Sequence, residues 1–153
     1  MGKGNQNPSL LFGRFFQACL NNIESLIQQG FIDPNKMAVG GLSRGAYVAA
    51  HLAAKEPRLK YLLGFAPMVI FPGVEAIDTL IPKLVNHQVR FYIGNHDLRV
   101  GTEASFIFIH KLADAAYQHG HRSPPMELII SPSIGYKGHG TLPLSLNQAA
   151  NGS

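Results

Sequence analysis

The chain has 153 residues, of which 46% are hydrophobic and 14% are charged. This composition fits one globular domain with a sizeable core and excludes a disordered or coiled-coil chain. Thirteen Lys and Arg against nine Asp and Glu give a formal net charge of +4, but the basic residues are scattered singly. We therefore expect no nucleic-acid partner.

Cysteine content and hydropathy indicate the compartment. The single cysteine, Cys19, cannot form an intrachain disulfide, and its helical context predicts a small buried hydrophobic residue. Residues 1–30 lack the apolar core of a signal peptide, and no stretch reaches the roughly 18 apolar residues of a membrane-spanning helix. We therefore expect a cytoplasmic protein with no membrane partner.

Helices and strands alternate from the start of the chain. Residues 1–8 are rich in polar residues and glycine, which predicts a flexible lead-in. Apolar residues recur at helical spacing over Ser9–Gln29, and Gly30 ends that predicted helix. A buried strand is predicted over Lys36–Gly40, followed by an alanine-rich helix over Arg44–Ala54.

The alternation continues to the last predicted strand. An apolar strand is predicted over Tyr61–Ala66 and a short helix over Val74–Val85, interrupted or kinked near Pro82. The remaining predicted elements are a strand over Val89–Gly94, a helix over Thr102–His119, a strand over Met126–Ser131 and a tail over 141–153. This pattern predicts an α/β domain over 9–140, with a parallel sheet of about four strands and helices on both faces.

One motif stands directly after a predicted strand and directly before a predicted helix: Gly41-Leu42-Ser43-Arg44-Gly45. So sharp a turn strains Ser43 and demands small residues at Gly41 and Gly45, because backbone segments crowd there. It leaves the serine hydroxyl at the carboxyl edge of the sheet, with the Arg44 N–H facing a developing oxyanion. The alternative is a nucleotide-binding turn with a serine cap, which the missing glycine order and P-loop lysine disfavour.

A serine nucleophile needs a histidine base, and the base needs an orienting acid. Asp97 follows the third predicted strand, on the same sheet edge as Ser43; its alternative role is a turn or helix cap. His139 lies in a glycine-flanked, flexible loop after the fourth strand, from which an imidazole can reach the serine. Asp78 and Asp114 fall within helical patterns and are poorer candidates.

The other histidines have weaker functional interpretations. His51 and His110 fall within predicted helices, as surface or packing residues. His119 and His121 form a His-x-His pair, but no third ligand is suggested, so we expect neither a metal nor a cofactor. His96 adjoins Asp97 and is either a pocket residue or a solvated neighbour.

With these residues placed, the sequence from about Leu26 to His139 resembles the α/β-hydrolase superfamily, most closely the catalytic domain of the prolyl oligopeptidase family. The likeness rests on Gln29-Gly30-Phe31-Ile32-Asp33-Pro34-Asn35-Lys36, the turn motif with Gly45-Ala46-Tyr47, Asp97-Leu98-Arg99-Val100 and Gly138-His139-Gly140. It implies Ser43 as nucleophile, Asp97 as orienter and His139 as general base. The turn motif also occurs in esterases, lipases and dienelactone-type hydrolases, so ester and peptide substrates both stay open.

The resemblance covers only the C-terminal half of such a fold. The strands that normally precede the nucleophile, and the segment with the second oxyanion donor, are not recognised, so we expect a truncated product. An unpaired first strand would invite a second copy of the chain to pair with it. The expected function is a serine hydrolase that cleaves a small ester or peptide through an acyl-enzyme. The alternative is a catalytically weak or inactive remnant that acts as a scaffold or binding module.

Overall fold

The computed structural model describes residues 8–140, and the predicted tail and nearly all of the predicted lead-in lie outside them. The elements are helix α1 (Pro8–Gln28), strand β1 (Met37–Leu42), helix α2 (Arg44–Lys55), strand β2 (Leu59–Phe65), a 3₁₀ turn (Ile77–Leu80) that continues into helix α3 (Ile81–Leu84), strand β3 (Gln88–Gly94), helix α4 (Thr102–Gln118), strand β4 (Met126–Ser131) and a second 3₁₀ turn (Tyr136–Gly138). The predicted α/β class is confirmed.

The four strands form one parallel sheet in the order β1-β2-β3-β4. Each strand therefore lies beside the next one in sequence. Leu42 lies opposite Phe65, and Phe65 opposite Tyr92; Gly94 lies opposite Ser131. Because the strands are parallel, the loops that leave β1, β3 and β4 all start from the same edge of the sheet.

A single main core lies between the sheet and the helices α2 and α4. Phe91 of β3 stacks on Phe108 of α4, with ring centroids 5.6 Å apart, and both side chains are buried. The small alanines of α2 let that helix approach the sheet closely. Leu62 and Leu112, both fully buried, complete the contact. Burial of this apolar surface is the main stabilising contribution to the domain.

Helix α1 packs beside α2 rather than over the middle of the sheet. Phe16 is buried against Met37, Leu52 and Leu59, and Cys19 is half-buried at the margin of this smaller cluster, which fits its expected role as a small apolar residue. No helix in the described part of the chain has the length and hydropathy to cross a membrane.

The helices of residues 8–140 cover one face of the sheet, where the sequence predicted cover on both. Along β1, Met37 is buried whereas Ala38, Gly40 and Leu42 are exposed. On the same open face Arg90 forms an ion pair with Glu127 of the neighbouring strand. Apolar runs in the sequence predicted two buried faces, but within 8–140 every helix connection returns to the same side.

The segment predicted as one helix over Val74–Val85 begins later and is divided. The 3₁₀ turn starts at Ile77, and Pro82 lies in the first turn of α3. A proline is tolerated there because the N–H that it lacks has no helical acceptor at that position. The segment is therefore interrupted near Pro82, as the sequence predicted, and Pro82 stands just inside the start of α3.

Strand β1 is an edge strand of the sheet within the described residues. Its backbone hydrogen bonds to another strand are made with β2 alone. An exposed edge of this kind can accept a further strand. The expected pairing with a second copy of the chain stays a prediction.

His87 supplies a test of how the core responds to pH. Its ring is buried, and Nε2–H donates to the carbonyl oxygen of Ala53 at 3.1 Å near the end of α2. Burial lowers the pKa of His87 below the ordinary histidine value. The folded protein therefore keeps this imidazole neutral at a pH where the unfolded chain binds a proton. The resulting stability is complete above about pH 6.5 and is lost as the pH falls below that value.

We predict that the free energy of unfolding, measured by urea denaturation, decreases between about pH 8 and about pH 5. In His87→Leu this decrease is smaller, although the variant loses the bond to Ala53. His110→Leu, at an exposed position on α4, is the matched control and keeps the full decrease. An undiminished decrease in His87→Leu would show that this histidine is not the pH-sensitive group.

Candidate active site

Ser43 is the single residue between β1 and α2, and its backbone is strained. Its φ of 55° and ψ of −115° lie outside the regions that residues with a side chain ordinarily adopt. The Ser43 N–H donates to the carbonyl oxygen of Phe65 at 2.8 Å, and its own carbonyl accepts from Ala46 at 3.0 Å and from Met68 at 3.2 Å. These bonds hold the turn to the end of β2, to α2 and to the loop that follows β2.

The two glycines of the motif have different roles. A Cβ on Gly41 would lie 2.2 Å from the carbonyl carbon of Gly45 and 2.7 Å from the nitrogen of Ala46, so only glycine fits at this position. A Cβ on Gly45 would meet no atom within 4 Å in the described residues. The prediction that both positions must be small is therefore correct for Gly41 and wrong for Gly45. The reason is that only the Cβ of residue 41 points into the turn.

Asp97 lies in the turn after β3 and is almost fully buried. Its Oδ1 accepts hydrogen bonds from the N–H groups of Arg99, at 2.8 Å, and Val100, at 3.0 Å. Thr102 holds the same turn to the strand, because its hydroxyl accepts from the Asp97 N–H and donates to the Gly94 carbonyl. One carboxylate oxygen thus caps the turn, as the alternative interpretation expected, while Oδ2 faces the site.

His139 joins Asp97 and Ser43. Its Nδ1 lies 2.8 Å from Oδ2 of Asp97, and its Nε2 lies 3.0 Å from Oγ of Ser43. The side chain of His139 is 8% exposed and that of Asp97 is 0% exposed. The structure therefore brings the three residues singled out in the sequence into one hydrogen-bonded chain, from three different loops at one sheet edge.

The loop that carries His139 is a compact turn, where the sequence predicted a flexible loop. A 3₁₀ turn spans Tyr136–Gly138, and both Lys137 and Gly138 have positive φ, of 56° and 72°. The His139 N–H donates to the carbonyl oxygen of Tyr136 at 3.1 Å. The backbone of this turn, and not the side chain alone, presents the imidazole to the other two residues.

The carboxylate of Asp97 determines which ring nitrogen of His139 carries the proton in this contact. A carboxylate is only a hydrogen-bond acceptor, so Nδ1 carries the proton in this contact and Nε2 presents its lone pair to the serine hydroxyl. A histidine held in this way can accept the hydroxyl proton. The N–H of Arg44 belongs to the first residue of α2, at the helix end that favours negative charge.

The remaining histidines lie outside this chain of contacts. The His51 ring packs against Phe16 and Tyr47, with centroids 5.2 and 4.6 Å away, which makes it a packing residue. His96 is exposed, and the rings of His119 and His121 lie 6.4 Å apart. Among residues 8–140, no group of three histidine, cysteine or acidic residues could hold a metal ion.

Sequence analysis missed three polar residues near the site: Thr102, Asn95 and Ser133. Asn95 and Ser133 lie directly beyond the carboxyl ends of β3 and β4, whereas Thr102 is the first residue of α4. All three bond to the loops that carry Asp97 or His139. A polar side chain immediately after a strand at this sheet edge was the available signal. It is weak, because loops contain many such residues.

Several large apolar side chains in the loops at this sheet edge are exposed within residues 8–140. Leu42, Ile70, Leu98 and Tyr136 are all exposed apolar residues in the segments beside the three site residues. A cavity of about 440 Å³ lies elsewhere, at the amino ends of the strands, and is lined by residues such as Met37, Tyr61 and Arg90. Because parallel strands carry their amino and carboxyl ends on opposite edges, this cavity does not serve Ser43.

Comparison with known proteins supports the fold. A search of solved structures matches a crystal structure described as that of a thermostable esterase, with a TM-score of 0.70 and 19% sequence identity over 91% of this chain. The chain therefore shares the α/β fold of part of that esterase. It spans 35% of the esterase's length. No protein-family model matches the sequence, and no curated protein matches it significantly.

The two motif glycines give a matched pair of variants. We predict that Gly41→Ala destabilises the protein by about 1–3 kcal/mol or more, because the added methyl meets backbone that can yield only if α2 moves. Gly45→Ala is neutral or stabilises by about 0.5–1 kcal/mol, because alanine is a better helix former than glycine. Urea denaturation measures both changes. Equal stabilities of the two variants would contradict the steric difference between positions 41 and 45.

Proposed function

We propose that this chain is a serine hydrolase that cleaves an ester or peptide bond through an acyl-enzyme. Ser43 is the nucleophile, His139 the general base and Asp97 the residue that orients it. The observation that carries the proposal is the continuous hydrogen-bonded chain from Asp97 Oδ2 through His139 to Ser43 Oγ, with contacts of 2.8 and 3.0 Å. It joins residues as far as 96 positions apart in sequence, so it is not a consequence of local chain geometry.

The proposed reaction has two halves. Ser43 Oγ attacks the substrate carbonyl while its proton passes to Nε2 of His139, which then gives the proton to the leaving group as the bond to it breaks. Water then loses a proton to the same nitrogen and attacks the acyl carbon. The bond from that carbon to Ser43 Oγ breaks, Oγ takes the proton back from Nε2, and the acid product leaves. Asp97 stays ionised throughout, and stabilises the imidazolium that forms in each half.

Arg44 contributes through its backbone. Its N–H is one of the helix N-terminal groups that lack an acceptor within the helix, and it follows the nucleophile directly. We propose that it donates to the oxyanion of the tetrahedral intermediate. Removal of one such donor in other hydrolases lowers the rate by about 10²–10³, so the strength of catalysis depends on how many donors the complete site has.

We propose esters as the first substrate class to test. The matched solved structure is described as an esterase, and the exposed apolar residues around Ser43 suit a small apolar acyl group. A prolyl oligopeptidase-like activity would appear instead as cleavage of peptide amides. With Cys19 as the only cysteine, nothing in the chain needs an oxidising compartment, so a cytoplasmic location is part of the proposal.

The second candidate is a catalytically weak or inactive hydrolase relative that acts as a scaffold or binding module. The observation that favours it is the exposure of large apolar side chains beside the site residues, such as Leu98 and Tyr136, since exposed apolar side chains can contact a partner. The two candidates differ in one chemical property, the nucleophilicity of Ser43.

A fluorophosphonate probe measures that property. We predict that the folded chain is labelled, that Ser43→Ala is not, and that His139→Ala and Asp97→Asn are labelled at least about 10⁴-fold more slowly. His110→Ala, at an exposed position outside the site, is the control and keeps the normal rate.

Panels of p-nitrophenyl esters and peptide p-nitroanilides then separate the substrate classes. Folded protein that the probe does not label would remove the hydrolase proposal and favour the binding module. Normal labelling of His139→Ala would remove the assigned base.

A further inference from the structure

Two loops meet at the site, the acid loop (residues 95–98) and the histidine loop (residues 132–139). We propose that Asn95 and Ser133 are positioning residues that fix these two loops to each other and so set the contact between His139 and Asp97. The inference rests on the proposed function, because what the pair positions is the proposed base against its orienting acid.

Asn95 and Ser133 bond in both directions across the two loops. The Ser133 N–H donates to Oδ1 of Asn95 at 3.1 Å, and the Ser133 hydroxyl oxygen accepts from the N–H of His96 at 2.7 Å. The Asn95 N–H in turn donates to the carbonyl oxygen of Ser131 at 2.7 Å. Each loop thus supplies a side chain that satisfies the backbone of the other, and neither residue touches Ser43 or His139 through a side-chain hydrogen bond.

The same two loops are also in close steric contact. A Cβ on Gly138 would lie 2.3 Å from the carbonyl oxygen of His96, and a Cβ on Gly94 would lie 2.6 Å from Oγ of Ser133. One more backbone bond, from the Leu98 N–H to the Lys137 carbonyl at 3.0 Å, closes the contact next to the site. The histidine loop therefore lies directly on the acid loop.

This arrangement fixes two of the three site residues without the third. Asp97 stands two residues after Asn95, and His139 stands six residues after Ser133, so the interlocked loops carry both ends of the 2.8 Å contact. Ser43 lies on a separate segment, the turn between β1 and α2. Loss of the bonds between the two loops should thus change how often Nε2 of His139 faces the serine. It should leave the turn that carries Ser43 unchanged.

The exposure of these bonds predicts a specific phenotype. The Ser133 hydroxyl and the Asn95 amide lie where water can replace them, so their removal should change the urea midpoint little. It should instead loosen the geometry of the base, and misplacement on the scale of an ångström lowers reaction rates by up to about 100-fold. We expect a reduced kcat for a p-nitrophenyl ester with KM nearly unchanged, because the proposed role is to position the base and not to hold the substrate.

The test compares Ser133→Ala and Asn95→Ala with two references. Ser133→Thr keeps a hydroxyl at the same place and should recover part of the rate. Ser131→Ala, at a neighbouring serine whose contribution is its backbone carbonyl, should behave as wild type. Fluorophosphonate labelling rates, kcat and KM are measured for each variant, with circular dichroism as the check on folding.

Two double variants show whether the pair acts as proposed. Asn95→Ala with Ser133→Ala should lose more rate than either single variant but less than the product of the two losses, because each removes a different bond between the same two loops. In Asp97→Asn, the addition of Ser133→Ala should cost little more, because the contact that it positions is already broken.

The outcomes separate the two proposals. A labelled wild type with a normally labelled Ser133→Ala and Asn95→Ala would overturn the positioning role and leave the hydrolase proposal intact. A folded wild type that is not labelled would overturn the hydrolase proposal and the positioning role together. A rate loss in Ser133→Ala that follows the fraction of unfolded protein, with no change in folded Asn95→Ala, would also overturn the positioning role.

Discussion

The approach of Gly41 to the backbone of Gly45 is the constraint from which the rest of the site follows. Because there is no Cβ between these two segments, strand β1 can pass into α2 across a single residue. That residue, Ser43, must then take a strained conformation in which its side chain leaves the sheet edge instead of joining a strand face or a helix. Strain of this kind persists only where surrounding bonds fix the backbone, and here Phe65, Ala46 and Met68 provide them.

The parallel sheet, with its strands in sequence order, brings the other two site residues to the same edge as Ser43. Every loop that follows a strand starts at the same edge, so a serine after β1, an acid after β3 and a histidine after β4 need only loops of suitable length to meet. The loops after β3 and β4 are neighbours and stabilise each other. Two strands, β2 and β3, lie between β1, which leads into the serine turn, and β4, which leads into the histidine loop. The backbone of the histidine loop brings His139 back toward Ser43.

Sequence analysis succeeded where the signal was local. Apolar runs and glycines located all four strands, and chain order with position after a strand selected Ser43, Asp97 and His139, which the structure brings together. It failed where the information lay in three-dimensional contacts. The role of Gly45 and the compact turn around Lys137 depend on backbone conformations that residue type does not reveal. The bonds between Asn95 and Ser133 join segments 38 residues apart in sequence. The open face of the sheet was not foreseen because an apolar strand has the same pattern whether or not a helix covers it.

The central claim is that folding holds His139 between Asp97 and Ser43, and nuclear magnetic resonance of the histidine ring protons tests it most directly. In the folded protein labelled with ¹⁵N-histidine, the account predicts a proton on His139 Nδ1 that exchanges slowly with water and resonates at low field, because it is buried and shared with Asp97 Oδ2. Asp97→Ala should abolish this signal, whereas His110→Ala should leave it unchanged. A His139 ring whose Nδ1 proton exchanges as fast as that of an exposed histidine, in protein that is otherwise folded, would contradict the account.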